Sequence, residues 1–420
     1  MKVLQTVGFA LTAASVSASY LPQRNTSNSG KRFAILDNDW SATGFIPMLI
    51  TQKSDIEILA LTSSTSDSWQ KQCAYHALAT LEIGNLSCIP VYEGATYPLI
   101  NTYERFQAWE MIHGVLPWEG VFAHYNATAE SLGSDPTADS SNANRVTASA
   151  FLEGYPNTTT AANKSAAAFM IEQVHKYPGQ VSIYAAGALT NIALAVRLDD
   201  QFAALAKELI IMGGYLDANL IQATGTVNQA DISSDINLMI DPESAKIAIT
   251  ASFPSITIAG NVANQVLSTQ DFLDEIYQVQ NPYTKLIYDH YGTIFPFWDE
   301  TAAAIMVDPT LATNTSVVYL DVDTAYGSPN YGNIHVYQKA LMPPNVREVN
   351  YVNSIDATRF KKMLKEAVQY PGTCYEWFRQ RCRRCTTHLN LGGSEKEHCK
   401  NMCCNHGDDP RPATTKDTVG

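Results

Sequence analysis

The stretch Phe33-Ala34-Ile35-Leu36-Asp37-Asn38-Asp39 decides the fold. Four apolar residues in a row form a short strand that hides both faces, and it stops on a pair of carboxylates. The same grammar recurs down the chain. Ile56 to Leu61 is a second apolar strand, ending in Thr62-Ser63-Ser64, and Trp69 to Ile83 follows with helical spacing. Val181 to Ala185 runs through Gly187 into a helix from Thr190 to Val196. Leu209-Ile210-Ile211-Met212 stops at Gly213-Gly214, and Ile256-Thr257-Ile258-Ala259 stops at Gly260-Asn261. Strands alternating with helices of 10–15 residues predict an α/β fold, an open and mainly parallel sheet with helices on both faces. In such sheets a ligand sits outside the carboxyl ends of the strands. That rule points to Asp37–Gly44, Ser63–Trp69, Gly187–Thr190 and Gly213–Tyr215.

The composition fits this reading. The 420 residues carry 28 Lys and Arg against 41 Asp and Glu, a net charge of −13, with 45% hydrophobic residues. Such a chain can bury a large core. Its acidity excludes a nucleic-acid binder, which needs basic side chains to neutralise phosphates. Lys2, the apolar run Val3 to Ala14 and the small residues Val16-Ser17-Ala18 read as a signal peptide over 1–18, followed by a linker over 19–30. No later stretch reaches 18 apolar residues, so no membrane anchor is expected. N-x-S/T acceptor sites at Asn25, Asn85, Asn126, Asn157, Asn163 and Asn314 agree with a secreted, extracellular glycoprotein. The sequence sets no oligomeric state.

Charge and cysteine divide the chain near Pro371. Residues 371–420 carry 8 basic and 6 acidic groups and six of the eight cysteines. We read 31–370 as the main domain and 371–420 as a small cysteine-rich tail. In an oxidising compartment the tail cysteines, from Cys374 to Cys404, are expected to pair with one another. Cys382, Cys385, His388 and Cys399 also have zinc-like spacing. Cys73 and Cys88 form a further possible pair if the turn after Ile83 folds back. Residues 124–165, rich in Asn, Thr, Ser and Ala, read as a surface insertion with some helix.

Asp37 and Asp39 lie two apart at a strand end, where paired carboxylates hold a hard cation or do acid–base work, and where turn chemistry also favours Asp. Asp299, in Phe297-Trp298-Asp299-Glu300, opens an apolar helix and there serves equally as a cap. Spacing alone does not bring these acids together.

The body resembles the inosine–uridine-preferring nucleoside hydrolase family, close to its secreted fungal branch, over about residues 31–370. The segments that carry the resemblance are Ile35-Leu36-Asp37-Asn38-Asp39, Ala77-Leu78-Ala79-Thr80-Leu81-Glu82, Ile89-Pro90-Val91-Tyr92-Glu93-Gly94 and His113-Gly114. Gly187-Ala188-Leu189-Thr190-Asn191, Met212-Gly213-Gly214, Asp235-Ile236-Asn237 with Asp241-Pro242, and Trp298-Asp299 complete the set. The resemblance implies an open α/β fold with Ca²⁺ at the bottom of a pocket that cleaves the N-glycosidic bond of ribonucleosides. It implies that Asp39 binds Ca²⁺ and activates water, that Thr190 offers a backbone carbonyl to the metal and that Asp299 is the late metal carboxylate. It places Asn237 and Asp235 at the ribose hydroxyls, and His113 in a loop over the pocket.

The chain departs from the family pattern at two positions. Two further aspartates usually follow the first motif, one touching ribose and one binding Ca²⁺ through two oxygens; here they are Thr43 and Gly44. Ca²⁺ takes 6–8 oxygens, so the site needs a substitute. Asp67, where the family usually has Asn, and Asp37 are the available acids. Trp298 stands where many members have a histidine; indole donates no acidic proton but stacks on a base, which implies a purine preference. Thr43 and Gly44 favour a rival reading, a nucleoside-binding or host-interaction protein that kept the fold without turnover. A third reading, a phosphatase with Asp37 as nucleophile, needs a downstream lysine and a second acidic pair in a context this sequence does not supply.

Overall fold

The apolar runs become the strands of one sheet. The computed structural model describes residues 31–116, 118–137, 142–216 and 235–374. The expected signal peptide, the linker and the tail beyond Cys374 lie outside the described residues. The strands are β1 (Arg32–Asn38), β2 (Ile56–Ser63), β3 (Val91–Glu93), β4 (Val181–Ala185), β5 (Glu208–Met212), β6 (Ile256–Ala259), β7 (Ala312–Val322), β8 (Ile334–Tyr337) and β9 (Arg347–Ile355). They form a nine-stranded sheet in the order β3-β2-β1-β4-β5-β6-β9-β7-β8. Every pair from β3 to β9 in that order is parallel, and β7 and β8 add an antiparallel edge. The sheet is thus the expected mainly parallel one, with an antiparallel extension that the apolar runs did not announce.

Burial on both faces explains why the parallel strands are unbroken apolar runs. Leu36 packs into one core with Leu49, Ile305 and Leu364 from helices on its face, while Ile35 packs into another with Met170, Ile192 and Ala248. The helices Gln70–Ile83 and Thr190–Leu198 start within a residue of their expected positions. The late apolar helix begins earlier than expected, at Trp298, so Asp299 lies in its first turn and the capping position belongs to Phe297, whose side chain makes no capping bond.

Strand order reverses between β1 and β4, and there the carboxyl ends of two neighbouring strands splay into a crevice. Register fixes what faces it: Asp37 pairs with Thr62 on β2 and with Ala185 on β4. Gly187 sits where β4 leaves the sheet. A Cβ there would lie 2.4 Å from Ser64 Oγ and 3.1 Å from the Asp39 nitrogen, so only glycine lets the two strand exits come this close.

Among its described residues the insertion contains a short α-helix, Ala127–Ser131, and a 3-10 turn, Ala148–Ala150, and it is anchored by a buried charge cluster. His76, fully buried in the helix Gln70–Ile83, has Nδ1 2.6 Å from Glu153 Oε1 and Nε2 2.8 Å from Asp135 Oδ1. Burial opposes charge on the ring, but the two carboxylates outweigh it and push His76 up to about 10.

The cysteines pair differently from expectation. Cys88 is bonded to Cys374, 286 residues away, and Cys73 is a free, buried thiol. Cys73 lies inside a continuous helix that carries it away from Cys88, so the local pairing fails. Cys374 joins the body rather than its neighbours in sequence. The other five tail cysteines, and with them the zinc-like set, lie outside the described residues. Among the described residues no helix is long and apolar enough to cross a membrane.

Candidate active site

Three acids from three segments, Asp39, Asp67 and Asp299, come close enough at the crevice to feel one another's charge. Asn38, the last residue of β1, donates from Nδ2 to Asp299 Oδ2 at 3.0 Å, tying the late helix to the strand end. Asp39 follows, 6% exposed, and its Oδ2 accepts the backbone N–H of Asp67 at 2.9 Å. Asp67 is in turn held by Trp118, whose Nε1 donates to Oδ1 at 2.9 Å. Burial first, then the charges of Asp67 and Asp299, hold Asp39 well above the ordinary carboxylate range. Burial, then Glu300, does the same to Asp299, with the Asn38 amide opposing, and Asp67 and Asp235 add to it. Burial pushes Asp67 up to about 6. Asp67 raises both Asp39 and Asp299, and Asp299 raises Asp39, so the cluster is short of positive charge.

Asp37 and Asp39 do not share partners, because β1 ends between them. Asp37 is fully buried, and its Oδ1 accepts from the Thr62 hydroxyl and from Asn191 Nδ2 at 2.8 Å. Its Oδ2 is buried without a hydrogen-bond partner, as is Asn38 Oδ1 beside Asp299. Thr190, the first residue of its helix, donates from Oγ1 to Asp241 Oδ2 at 2.6 Å. Asn237 has both ends of its amide engaged: Oδ1 accepts from Ser66 Oγ at 2.8 Å and Nδ2 donates to Ala186 O at 3.0 Å. Asp235 Oδ1 caps its helix at the Leu238 N–H, 3.3 Å away. His113 is not in a loop over the pocket: it is the last residue of the helix Tyr103–His113, is not among the residues lining the cavity above the acids, and has Nε2 2.9 Å from the Gly327 carbonyl.

Above the acids opens a cavity of roughly 570 Å³, lined among others by Thr43, Gly44, Asp67, Trp118, Trp298 and Asp299. Its size suits a small organic ligand. Trp298 is half-buried, its Nε1 donating to Asn264 Oδ1 at 2.7 Å, and its ring centre lies 6.4 Å from that of Trp118 at an interplanar angle of 63°. The two indoles and the carboxylates of Asp67 and Asp299 share its lining, so it offers both stacking faces and polar oxygens. Trp118 was not among the residues singled out from the sequence, nor were Asn38, Asp135 and Glu119; the stretch Trp118-Glu119-Gly120, just after His113-Gly114, is the signal that marks two of them.

The donor set suits a hard cation. Asp39, Asp299, the Thr190 carbonyl and the two unpartnered oxygens on Asp37 and Asn38 are all oxygen, the chemistry Ca²⁺ takes. Among the described residues, however, no three His, Cys, Asp or Glu side chains are grouped closely enough to hold a metal by themselves. Gly44 stands where the family pattern carries a metal-binding aspartate, so this position adds no carboxylate. Gly44 is not in the left-handed region, and a Cβ on it would lie 3.0 Å from Ser41 Oγ and 3.1 Å from Ser41 N.

The family model of the inosine-uridine preferring nucleoside hydrolases matches residues 34–362. The chain is 31% identical to the uncharacterized protein C800.11 of Schizosaccharomyces pombe, over 81% of this chain and 86% of that one. It is 30% identical to uridine nucleosidase 1 of Arabidopsis thaliana, over 61% of this chain and 64% of the plant enzyme. Among solved structures, a plant nucleoside hydrolase, PpNRh1, superposes with a TM-score of 0.61 at 21% identity, covering 81% of this chain and all of that one. An inosine-guanosine nucleoside hydrolase has the same score at 18% identity, over 82% of this chain and all of that one. These two share the fold. The chain belongs to the inosine-uridine preferring nucleoside hydrolase family, whose members are enzymes.

Proposed function

We propose that this cavity hydrolyses the N-glycosidic bond of ribonucleosides to free base and ribose, with purine nucleosides preferred and Ca²⁺ as its cation. The observation that carries the reading is the meeting of Asp39, Asp67 and Asp299 at the switch point, beneath a cavity walled by Trp118 and Trp298. Asp39, Asp299 and the Thr190 carbonyl would hold the ion, with the free oxygen of Asp37 in reserve. When bound, such an ion lowers the pKa of a water and orients the ribose diol. Asp39 takes the proton of the attacking water as the water oxygen bonds to C1′. Thr43 and Asp67, which line the cavity, bind the ribose hydroxyls, and Asn237 and Asp235, which do not line it, join them only by exchanging their present hydrogen bonds. The ribosyl group passes through an oxocarbenium-like state, which the surrounding carboxylates stabilise. Trp298 stacks on the base, worth ~1–3 kcal/mol.

Gly44 and Thr43 favour the second reading, nucleoside binding without turnover. Assaying base and ribose release from a panel of purine and pyrimidine nucleosides separates the two. Faster release from purine nucleosides supports the proposal; faster release from uridine overturns the base preference; binding without release supports the second reading. We also propose that the protein is exported as a glycoprotein. The Cys88–Cys374 bond supports this, since such bonds persist in oxidising compartments. Mass spectrometry of the secreted, unreduced protein tests it: an intact residue 1–18 segment with free Cys88 would contradict it.

A further inference from the structure

A purine or pyrimidine leaves a ribosyl group with an electron pair on a ring nitrogen, and it leaves slowly unless a proton meets that pair. The residue before Asp299 is Trp298, and an indole has no proton to give at neutral pH. The cavity wall holds a different source.

The helix Tyr103–His113 is followed by the segment that carries Trp118, Glu119 and Gly120. Trp118 and Glu119 line the same cavity as Trp298, Asp67 and Asp299. The segment is fastened on both sides of Glu119: Trp118 Nε1 donates to Asp67, and the Val121 N–H donates to Ser66 O at 2.7 Å. Gly120 allows the second contact. It has φ +52°, and a Cβ on it would lie 2.7 Å from Ser66 O. Both anchors belong to the loop after β2 that also gives Asp67, so Glu119 is held in fixed relation to the acids below.

We propose that Glu119 is the general acid of this pocket and hands its carboxyl proton to the departing base. The proposal rests on the hydrolase reading above. Glu110, from the helix Tyr103–His113, is 5% exposed and faces Glu119 as its hydrogen-bond partner. Its Oε1 accepts the Leu116 N–H at 3.3 Å, while Glu110 Oε2 and Glu119 Oε1 meet no N–H or O–H donor. Two carboxyl groups in that position keep one proton between them. Burial, then Glu110, pushes Glu119 up to about 8, so the acid form prevails at pH 7. The other titratable groups around it are Tyr103 on the same helix as Glu110, Asp67 after β2, and His124, Glu130 and Asp135 of the insertion. His124, a rival donor, has Nδ1 3.0 Å from the Tyr103 hydroxyl.

The step balances. The C1′–N bond breaks with its electron pair moving to the base nitrogen, and the Glu119 O–H bond breaks as the new N–H forms. The water oxygen bonds to C1′ and its proton goes to Asp39. Ribose and neutral base leave; solvent reprotonates Glu119 and deprotonates Asp39.

The test compares wild type with Glu119→Gln on a purine nucleoside and on p-nitrophenyl riboside, whose phenolate departs without a proton. Nucleoside kcat falls about 10²- to 10³-fold, and the ratio of aryl-riboside to nucleoside turnover rises by a similar factor. The wild-type kcat/KM for the nucleoside falls as pH rises through about 8. That limb is absent in Glu119→Gln and moves to lower pH in Glu110→Gln, which removes the raising partner. Equal losses on both substrates, or a limb removed by His124→Gln and kept in Glu119→Gln, would overturn the proposal. If wild type hydrolyses the aryl riboside but Glu119→Gln leaves nucleoside turnover intact, Glu119 is not the acid and the hydrolase reading survives. If wild type hydrolyses neither substrate, both fall together.

Discussion

The floor of the cavity and its wall are built by opposite means. The floor, Asp37 to Asp39 with Thr190, lies behind the lining residues, at and beyond the ends of β1 and β4, where sheet register fixes Asp37 and Asn38. The wall, Trp118, Glu119 and the insertion, hangs on side-chain bonds: Trp118 to Asp67, and His76 to Asp135 and Glu153. Strand ends give precision without ligand, and loops give shape that can change without disturbing the sheet. On the proposed reading, water attack belongs to the floor, and recognition and protonation of the base belong to the wall.

Substitutions on the two sides should therefore fail differently. Asp39→Asn should cost the most, about 10³-fold or more in kcat for every nucleoside alike, because it removes the base that takes the water's proton; rates of ribose release measure it. Trp298→Ala should lower purine-nucleoside turnover by ~1–3 kcal/mol, roughly 5- to 150-fold, and spare pyrimidine nucleosides in comparison, as kcat/KM values across the panel would show. Equal losses across all bases would place Trp298 with the floor. Gly44→Asp should strengthen the floor, lowering the Ca²⁺ concentration for half-maximal binding by about tenfold, ~1.4 kcal/mol, in calorimetric titration. The backbone there accepts a side chain, and Ser41 must give by a few tenths of an ångström. The smallest readout concerns the wall's anchor. His76 is raised from 6.5 to about 10, so its stabilisation is full below pH 6.5 and is lost as pH rises through 10. Denaturant midpoints should fall across that window in wild type and stay flatter in His76→Phe.

The same contrast explains what could be read from residues. The strands beneath the site were legible because buried parallel strands are apolar runs with sharp ends, and Asp37 and Asp39 mark the end of β1. The antiparallel edge was not. β7 opens with Ala312-Thr313-Asn314-Thr315-Ser316, largely exposed, so no apolar run marks it. The wall escaped for a different reason. Asp135 and Glu153 find His76 across 59 and 77 residues, a distance over which no local period carries information. The Cys88–Cys374 bond is the extreme case, since pairing depends on where chain ends meet in space and not on spacing. His113 was legible as a motif residue, yet its ring contact is to Gly327, which only the fold brings near.

The central claim is that the floor works as a cation site despite Gly44. The most direct measurement follows ribose release from a purine nucleoside by the intact protein after chelation and after return to millimolar Ca²⁺. Turnover should disappear with the chelator and return with Ca²⁺ but not in Asp39→Asn. Turnover that is unaffected by chelation, or absent from every nucleoside in millimolar Ca²⁺, would contradict it.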